Sequence, residues 1–306
     1  MSMSATDRKA LLSGWIKPSS DNEKDQQDRA ERMVRDAIES SDAFEGSNYS
    51  IYTKGSYPNN TNVRQDSDVD VVVELRECFY WDYGSGVTPA DPKVVTPYGG
   101  SWTPATWRKA VKSALVEHFG ASGVDSSGEV AINISAVAGS RPSADVVPSF
   151  LYYRYDNTEC TQSEQGSCVF PRSGGAKIVN WPHHQLDKGR SKNNATGGRY
   201  KDYVRALKNV ENVLADDGVI DDLPSYFMEC LVFNVPNSIL KSGGSLDDDF
   251  RATLVELWRQ LGDEDTETAM VEPNYMKWLF QGDKKWTLQD GKDLIQATWT
   301  YLDYAS

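Results

Sequence analysis

Gly55-Ser56-Tyr57-Pro58-Asn59-Asn60-Thr61-Asn62-Val63-Arg64-Gln65-Asp66-Ser67-Asp68-Val69-Asp70 runs directly into Val71, Val72, Val73, Glu74 and Leu75. The final run has the two-residue period of a strand, so Asp68 and Asp70 project to one face while Val69, Val71, Val73 and Leu75 bury the other. Two carboxylates that close repel each other unless a cation stands between them. Oxygen donors of this kind suit Mg²⁺, which takes one or two carboxylates together with substrate phosphates. The Gly55-Ser56 turn upstream offers backbone N–H groups and a hydroxyl to such phosphates. The pattern outlines a site for metal-dependent nucleotidyl transfer.

An acidic pair on a strand is by itself more often a solvated sheet edge than a metal site. Three features set this pair apart: the Gly-Ser turn before it, the polar Thr61-Asn62-Val63-Arg64 interval, and a lone carboxylate, Asp145, in the strand-like run Ser143-Ala144-Asp145-Val146-Val147-Pro148. Asn59, Asn60, Thr61, Asn62 and Arg64 read equally well as residues that stabilise the turn.

Outward from this stretch, a strand is expected over 49–54, a Gly/Pro/Thr-rich loop over 84–104, and a helix carrying Trp107, Val111, Ala114, Leu115 and Phe119 that stops at Gly120. Further strands are expected over 129–136 and 144–152. Residues 21–45 are highly charged, yet Ala30, Met33, Val34, Ala37 and Ile38 form the stripe of an amphipathic helix able to brace two lobes. The polar, Gly/Ser/Asn-rich segment 156–198 reads as a crossing between lobes. Beyond Arg199 the pattern is helical, over about 199–215, 225–235, 247–261 and 290–304. Tyr304-Ala305-Ser306 reads as an exposed tail.

The 306 residues, 39% hydrophobic and 25% charged, allow one large domain or two modest lobes. Four scattered cysteines agree with a reducing compartment, and Cys160 and Cys168 with His183 and His184 match no usual zinc spacing. No apolar run approaches a membrane span or a signal segment, so a cytoplasmic protein without a membrane partner is expected. A net charge of −13 disfavours a long nucleic acid and leaves small nucleotides, which need only a local cationic pocket.

Gly55-Ser56, Asp68-x-Asp70 and Asp145 resemble the signature of the polymerase-β-like nucleotidyltransferase superfamily. More narrowly, Gly-Ser-Tyr-x-Asn-x-Thr-Asn-Val-Arg-x-Asp-Ser-Asp-Val-Asp, with Lys192 to Lys201 and Pro224-Ser225-Tyr226, is similar to the bacterial cGAS/DncV-like nucleotidyltransferases of anti-phage CBASS systems. The resemblance implies an α+β fold: a polymerase-β-like lobe with a mixed sheet over 1–155, braced by the N-terminal helix, and a helical lobe over 156–306, with the active-site cleft between them. It implies two Mg²⁺ ions, or Mn²⁺ in their place, held by Asp68, Asp70 and Asp145, and nucleotide contacts from Gly55, Ser56, Lys201, Lys208, Ser225 and Tyr226.

Lys201, Arg205 and Lys208 stand at i, i+4 and i+7, a basic stripe that reads either as a solvated helix face or as phosphate contacts. Ser225 and Tyr226 read either as a helix start and a core aromatic, or as a γ-phosphate contact and a base-stacking ring. His183 and His184 read as surface or structural residues.

The activity implied is a cyclic oligonucleotide synthase joining ribonucleoside triphosphates (ATP, GTP or pyrimidine nucleotides) into a cyclic di- or trinucleotide messenger for a downstream effector. A monomer is expected. Transfer of nucleotides to RNA or to a protein acceptor, and a catalytically silent nucleotide-binding scaffold, are the competing readings.

Overall fold

The computed structural model describes residues 3–18, 20–63, 68–138 and 140–304. Arg64 therefore lies outside the described residues, as do Ala305 and Ser306. In chain order the principal elements are α1 (Ala5–Trp15), α2 (Asp21–Glu39), β1 (Tyr49–Thr53), α3 (Ser56–Asn59), β2 (Val69–Tyr83), α4 (Pro104–Phe119), β3 (Val124–Asp125), β4 (Ile132–Ile134), β5 (Ala144–Tyr155), β6 (Ser163–Val169) and β7 (Ile178–Asn180). Then follow α5 (Pro182–Ala195), α6 (Arg199–Asp216), α7 (Ser225–Asn234), α8 (Asn237–Leu240), α9 (Leu246–Leu261), α10 (Thr266–Ala269) and α11 (Leu288–Tyr301). No described helix is long and apolar enough to cross a membrane.

The chain divides into two compact units: residues 21–58 and 66–183 form one, and residues 1–20, 59–65 and 184–306 the other. The first holds a mixed sheet in the order β1-β2-β5-β4-β3, with β6 added to β5 and β7 to β6. β2 and β5 run parallel, and the other pairings are antiparallel. β5 pairs with β4 through residues 144–146 and with β6 through residues 150–155, so one edge serves two partners. Pro148 stands where that edge changes hands, a place where a strand can spare an N–H donor.

The core of this unit forms where α2 (Ala30, Val34, Ala37, Ile38) and α4 (Trp107, Val111, Ala114, Leu115) cover Val71, Val73 and Leu75 of β2. The Trp107 indole donates to Val73 O at 3.2 Å, so the large ring is buried with its one polar atom satisfied. Thr103 caps α4, and Gly120, at φ +80°, ends it as expected. α2 packs on α4, β1 and β2, within the sheet unit. The sheet continues past residue 155, because Ser163–Val169 pairs with the outer half of β5 and β7 pairs with that strand. The segment read as a crossing thus contributes two strands and the whole of α5.

The helical unit is built on α6, α7, α9 and α11, with Leu207, Val210, Phe227, Leu231, Phe250, Leu254, Leu257 and Leu294 fully buried. Capping boxes start α1 (Ser4, Asp7), α9 (Ser245, Asp248) and α11 (Thr287, Asp290). α6 begins after Gly197 and Gly198, both at positive φ. Tyr304 is not part of an exposed tail: only 5% exposed, it donates to Asp247 Oδ1 at 2.7 Å, and Arg8 reaches the same carboxylate at 3.1 Å. An aromatic ring with a hydroxyl anchor gains more from burial than a terminal residue gains from freedom.

Candidate functional site

The site in the sheet unit is set by strand register. Asp70 on β2 lies opposite Asp145 on β5, and Asp145 lies opposite Asn133 on β4. In-register neighbours share a face, so the three side chains form a row across three adjacent strands. Asp68, one residue before β2, completes the group: Asn133 Nδ2 donates to Asp68 Oδ2 at 3.2 Å and to Asp145 Oδ1 at 3.0 Å. Asp68 is exposed, while Asp70, Asp145 and Asn133 are half-buried.

The turn before α3 is tied to this row from the other side. Lys54 N–H donates to Asp70 O at 3.0 Å, which ends the β1–β2 ladder, and the chain turns at Gly55 with φ +81°. A Cβ at residue 55 would stand 2.7 Å from Asp70 Oδ2. Glycine is thus required twice, by the backbone conformation and by the close approach of a carboxylate. Ser56 then opens α3.

Burial raises the Asp70 carboxyl above its ordinary value; Lys54 opposes this, and the Asp145 and Asp68 charges add to the rise. Among the described residues, no three His, Cys, Asp or Glu side chains are drawn together as a closed metal cage. Two of the carboxylates share the Asn133 amide, the neutral donor that a mutually repelling pair can recruit.

The acidic face of β2 also carries an unexpected member. Glu74 is 1% exposed, accepts from the Tyr52 hydroxyl at 3.0 Å, and its carboxyl is raised by burial. β2 is therefore covered on both faces from Val71 to Leu75, with polar side chains kept at its start and again beyond Leu75.

Gly55, Asp68, Asp70 and Asp145 are brought together; Lys201, Lys208, Ser225 and Tyr226 belong to the helical unit. There Ser225 is exposed as the first residue of α7. Tyr226 donates to Glu272 Oε2 at 3.2 Å, and Glu272 is also bound by Lys284 and by Asn274 at 2.8 Å. Lys201 is half-buried, its ammonium lowered mainly by desolvation and supported by Glu229.

The basic stripe is not a solvated face. Arg205 and Lys208 are 4% and 2% exposed. Lys208 Nζ donates to Thr61 O at 3.0 Å, so its ammonium is occupied by the chain's own backbone.

Two residues escaped the sequence reading. Asn133 is a lone polar residue between the buried Ile132 and Ile134, a signal present in the alternation but without meaning until β4 is paired with β5. Lys54 is the cation next to the turn whose charge acts on Asp70.

The model of the cGAS/DncV-like nucleotidyltransferase C-terminal helical domain matches residues 187–303. The chain is 36% identical over 290 residues to the cyclic dipyrimidine nucleotide synthase CdnE of Legionella pneumophila, covering 94% of this chain and 95% of that one. The solved CdnE cyclic dinucleotide synthase of Elizabethkingia meningoseptica, with GTP and Apcpp, superposes with a TM-score of 0.78 at 29% identity over 97% of this chain and 99% of that one. The Rhodothermus marinus CdnE c-UMP-AMP synthase, with Apcpp and Upnpp, superposes with a TM-score of 0.83 at 25% identity over 97% of each chain. Likeness sustained over nearly the whole length, in sequence and in fold, shows that the chain belongs to the cGAS/DncV-like nucleotidyltransferases.

Proposed function

We propose that this protein condenses ribonucleoside triphosphates into a cyclic di- or trinucleotide, a messenger for a downstream effector in anti-phage signalling. The observation that carries the reading is the row Asp70–Asp145–Asn133 across three strands, with Asp68 bound to the same amide and Gly55 against Asp70.

In each round an acceptor ribose hydroxyl attacks the α-phosphorus of a donor triphosphate. A phosphorus–oxygen bond forms to the hydroxyl oxygen, the bond to the bridging α–β oxygen breaks, and pyrophosphate leaves. Asp145 is the proposed acceptor of the hydroxyl proton, as a positioned carboxylate can be. A second round within the linear intermediate closes a dinucleotide ring.

Three carboxylates with all-oxygen donors fit two divalent ions, Mg²⁺ or Mn²⁺, with Asp68, Asp70 and Asp145 as the ligands. Bound ions would supply charge neutralisation at the α-phosphate and at the leaving pyrophosphate. Asn133 orients Asp68 and Asp145, and Gly55 lets the turn approach Asp70. In the helical unit, Lys201 and Ser225 are the proposed triphosphate contacts and Tyr226 the base-stacking ring.

The related enzymes carry different bases: dipyrimidine in Legionella, UMP and AMP in Rhodothermus. The product is therefore identified directly. Purified protein with Mg²⁺ and all four ribonucleoside triphosphates, each labelled in turn, is expected to yield a small phosphatase-resistant product whose bases and ring size mass spectrometry reads. Label found only on added RNA or protein would replace this reading with acceptor nucleotidylation. An absence of turnover with every triphosphate would leave a nucleotide-binding scaffold.

Asn133→Ala is expected to lower turnover by about 10–100-fold and to raise the Mg²⁺ concentration needed, because residues that orient ligands typically contribute that much. A Mg²⁺ titration of initial rates checks it. An unshifted curve would remove Asn133 from the site.

A further inference from the structure

The described residues 59–63 belong to the helical unit, although the chain before them, 21–58, and the chain from Asp68 to 183 belong to the sheet unit. The strap is held by two cations of one helix. Arg205 Nη1 donates to Asn60 O at 2.6 Å and Lys208 Nζ donates to Thr61 O at 3.0 Å, so two consecutive peptide carbonyls are each bound by a side chain of α6. Asn60, at φ +53°, takes the left-handed conformation that asparagine tolerates.

The hold extends to two more helices. Lys208 Nζ also lies 3.4 Å from Thr61 Oγ1, which donates to Glu229 Oε2 on α7 at 3.3 Å, while Gln185 on α5 donates to Glu229 Oε1 at 3.0 Å. Arg205 is fixed in turn by Ile16 O at 2.8 Å and by Asp202 Oδ1 at 2.7 Å.

Burying an ammonium and a guanidinium is costly unless each is fully engaged, and in some systems such groups are retained because they specify one arrangement over others. What is specified here is a connector five residues past Ser56 and seven before Asp68.

We propose that Lys208 and Arg205 are positioning residues of the nucleotidyl transfer: by clamping the 60 and 61 carbonyls they hold the stretch 59–63 that follows the Gly55-Ser56 turn. The inference rests on the proposed function for its effect on rate, but the clamp itself can be measured without turnover. It gives Lys208 a different task from a triphosphate contact. Loss of a contact raises the triphosphate KM, whereas misplacing reacting groups by about 1 Å can cost about 100-fold in turnover with binding intact.

The test compares Lys208→Met, Lys208→Arg and Thr61→Val with the wild type by hydrogen exchange of the peptide containing residues 59–63 and by steady-state kinetics. Lys208→Met is expected to speed exchange in that peptide at least tenfold, with α6 and α7 still protected, and to lower kcat by about 10–100-fold with the triphosphate KM within about twofold. Lys208→Arg should recover part of both, because it restores a cationic donor.

If Lys208→Met speeds exchange as described but the wild type turns nothing over, the clamp stands and the enzymatic reading fails. A raised KM with unchanged kcat and unchanged exchange would make Lys208 a ligand and overturn the proposal. Should Lys208→Met not fold, Thr61→Val decides, since it removes only the hydroxyl between Lys208 and Glu229. Wild-type exchange and kcat in that variant, or failure of both variants to fold, would assign the network to stability alone and overturn the proposal.

Discussion

Asp70→Asn is expected to lower nucleotidyl transfer by about 10³-fold or more while leaving the protein folded and slightly more stable at pH 7. The two effects have one cause. Asp70 is half-buried beside Asp145 and Asp68, and its carboxyl is raised by that burial and by those charges. A carboxyl whose folded value lies above its unfolded one binds its proton more tightly in the native state, so it adds stability at low pH that is lost as pH rises through the folded value. At pH 7 the native state therefore carries an unfavourable charge, and asparagine, an analogue of the protonated acid, removes it. The same neutralisation removes a negative ligand from the proposed metal site, where catalysis consists of positioning and charge neutralisation.

Two measurements check this prediction: the rate of cyclic product formation, and the melting temperature between about pH 4 and pH 8. The wild type should gain on the variant as pH falls through the raised Asp70 value, since only the wild type takes up the proton there. A variant that turns over triphosphates at the wild-type rate would remove Asp70 from the reaction. A variant much less stable than the wild type at pH 7 would show that the carboxylate is held by attraction.

Gly55→Ala carries the second large effect. A residue with a Cβ at φ +81° costs about 1–2 kcal/mol in backbone conformation alone. The added methyl would also stand 2.7 Å from Asp70 Oδ2, closer than real contacts allow, so either the turn or the carboxylate moves. A shift of that order in a reacting group can lower turnover by about 100-fold.

Because both substitutions act through one carboxylate, they should not add. Gly55→Ala combined with Asp70→Asn is expected to be no slower than Asp70→Asn alone, which a double-mutant cycle on initial rates reads directly. Additive losses would show that Gly55 contributes through something other than Asp70, such as its own N–H toward phosphate.

Local pattern made much of this protein legible. The alternation after Asp68 placed β2, the stripes of α2, α4, α6 and α9 placed those helices, and Gly120 marked the end of α4. Elements without a local pattern were missed. β6, Ser-Glu-Gln-Gly-Ser-Cys-Val, has little strand propensity and is made a strand by the open half of β5. α5 buries only Gly189, so it has no apolar stripe for periodicity to find, and α1 packs on the core only through its last turn, Leu11, Leu12 and Trp15.

The site divides along the same line. Asp68, Asp70 and Asp145 stood out as acids in apolar strand-like runs, a property of neighbours along the chain. Asn133 did not, because its meaning comes from lying opposite Asp145, a cross-strand relation settled only by the pairing of β4 with β5. Residue order determined the strand that carries the acids, the Gly-Ser turn before it and the family to which the chain belongs. Tertiary structure alone decided that Asp68 and Asp145 share an amide, that the turn needs a glycine and that Lys208 is spent on Thr61, since local period tells which residues share a face but not what will cover it.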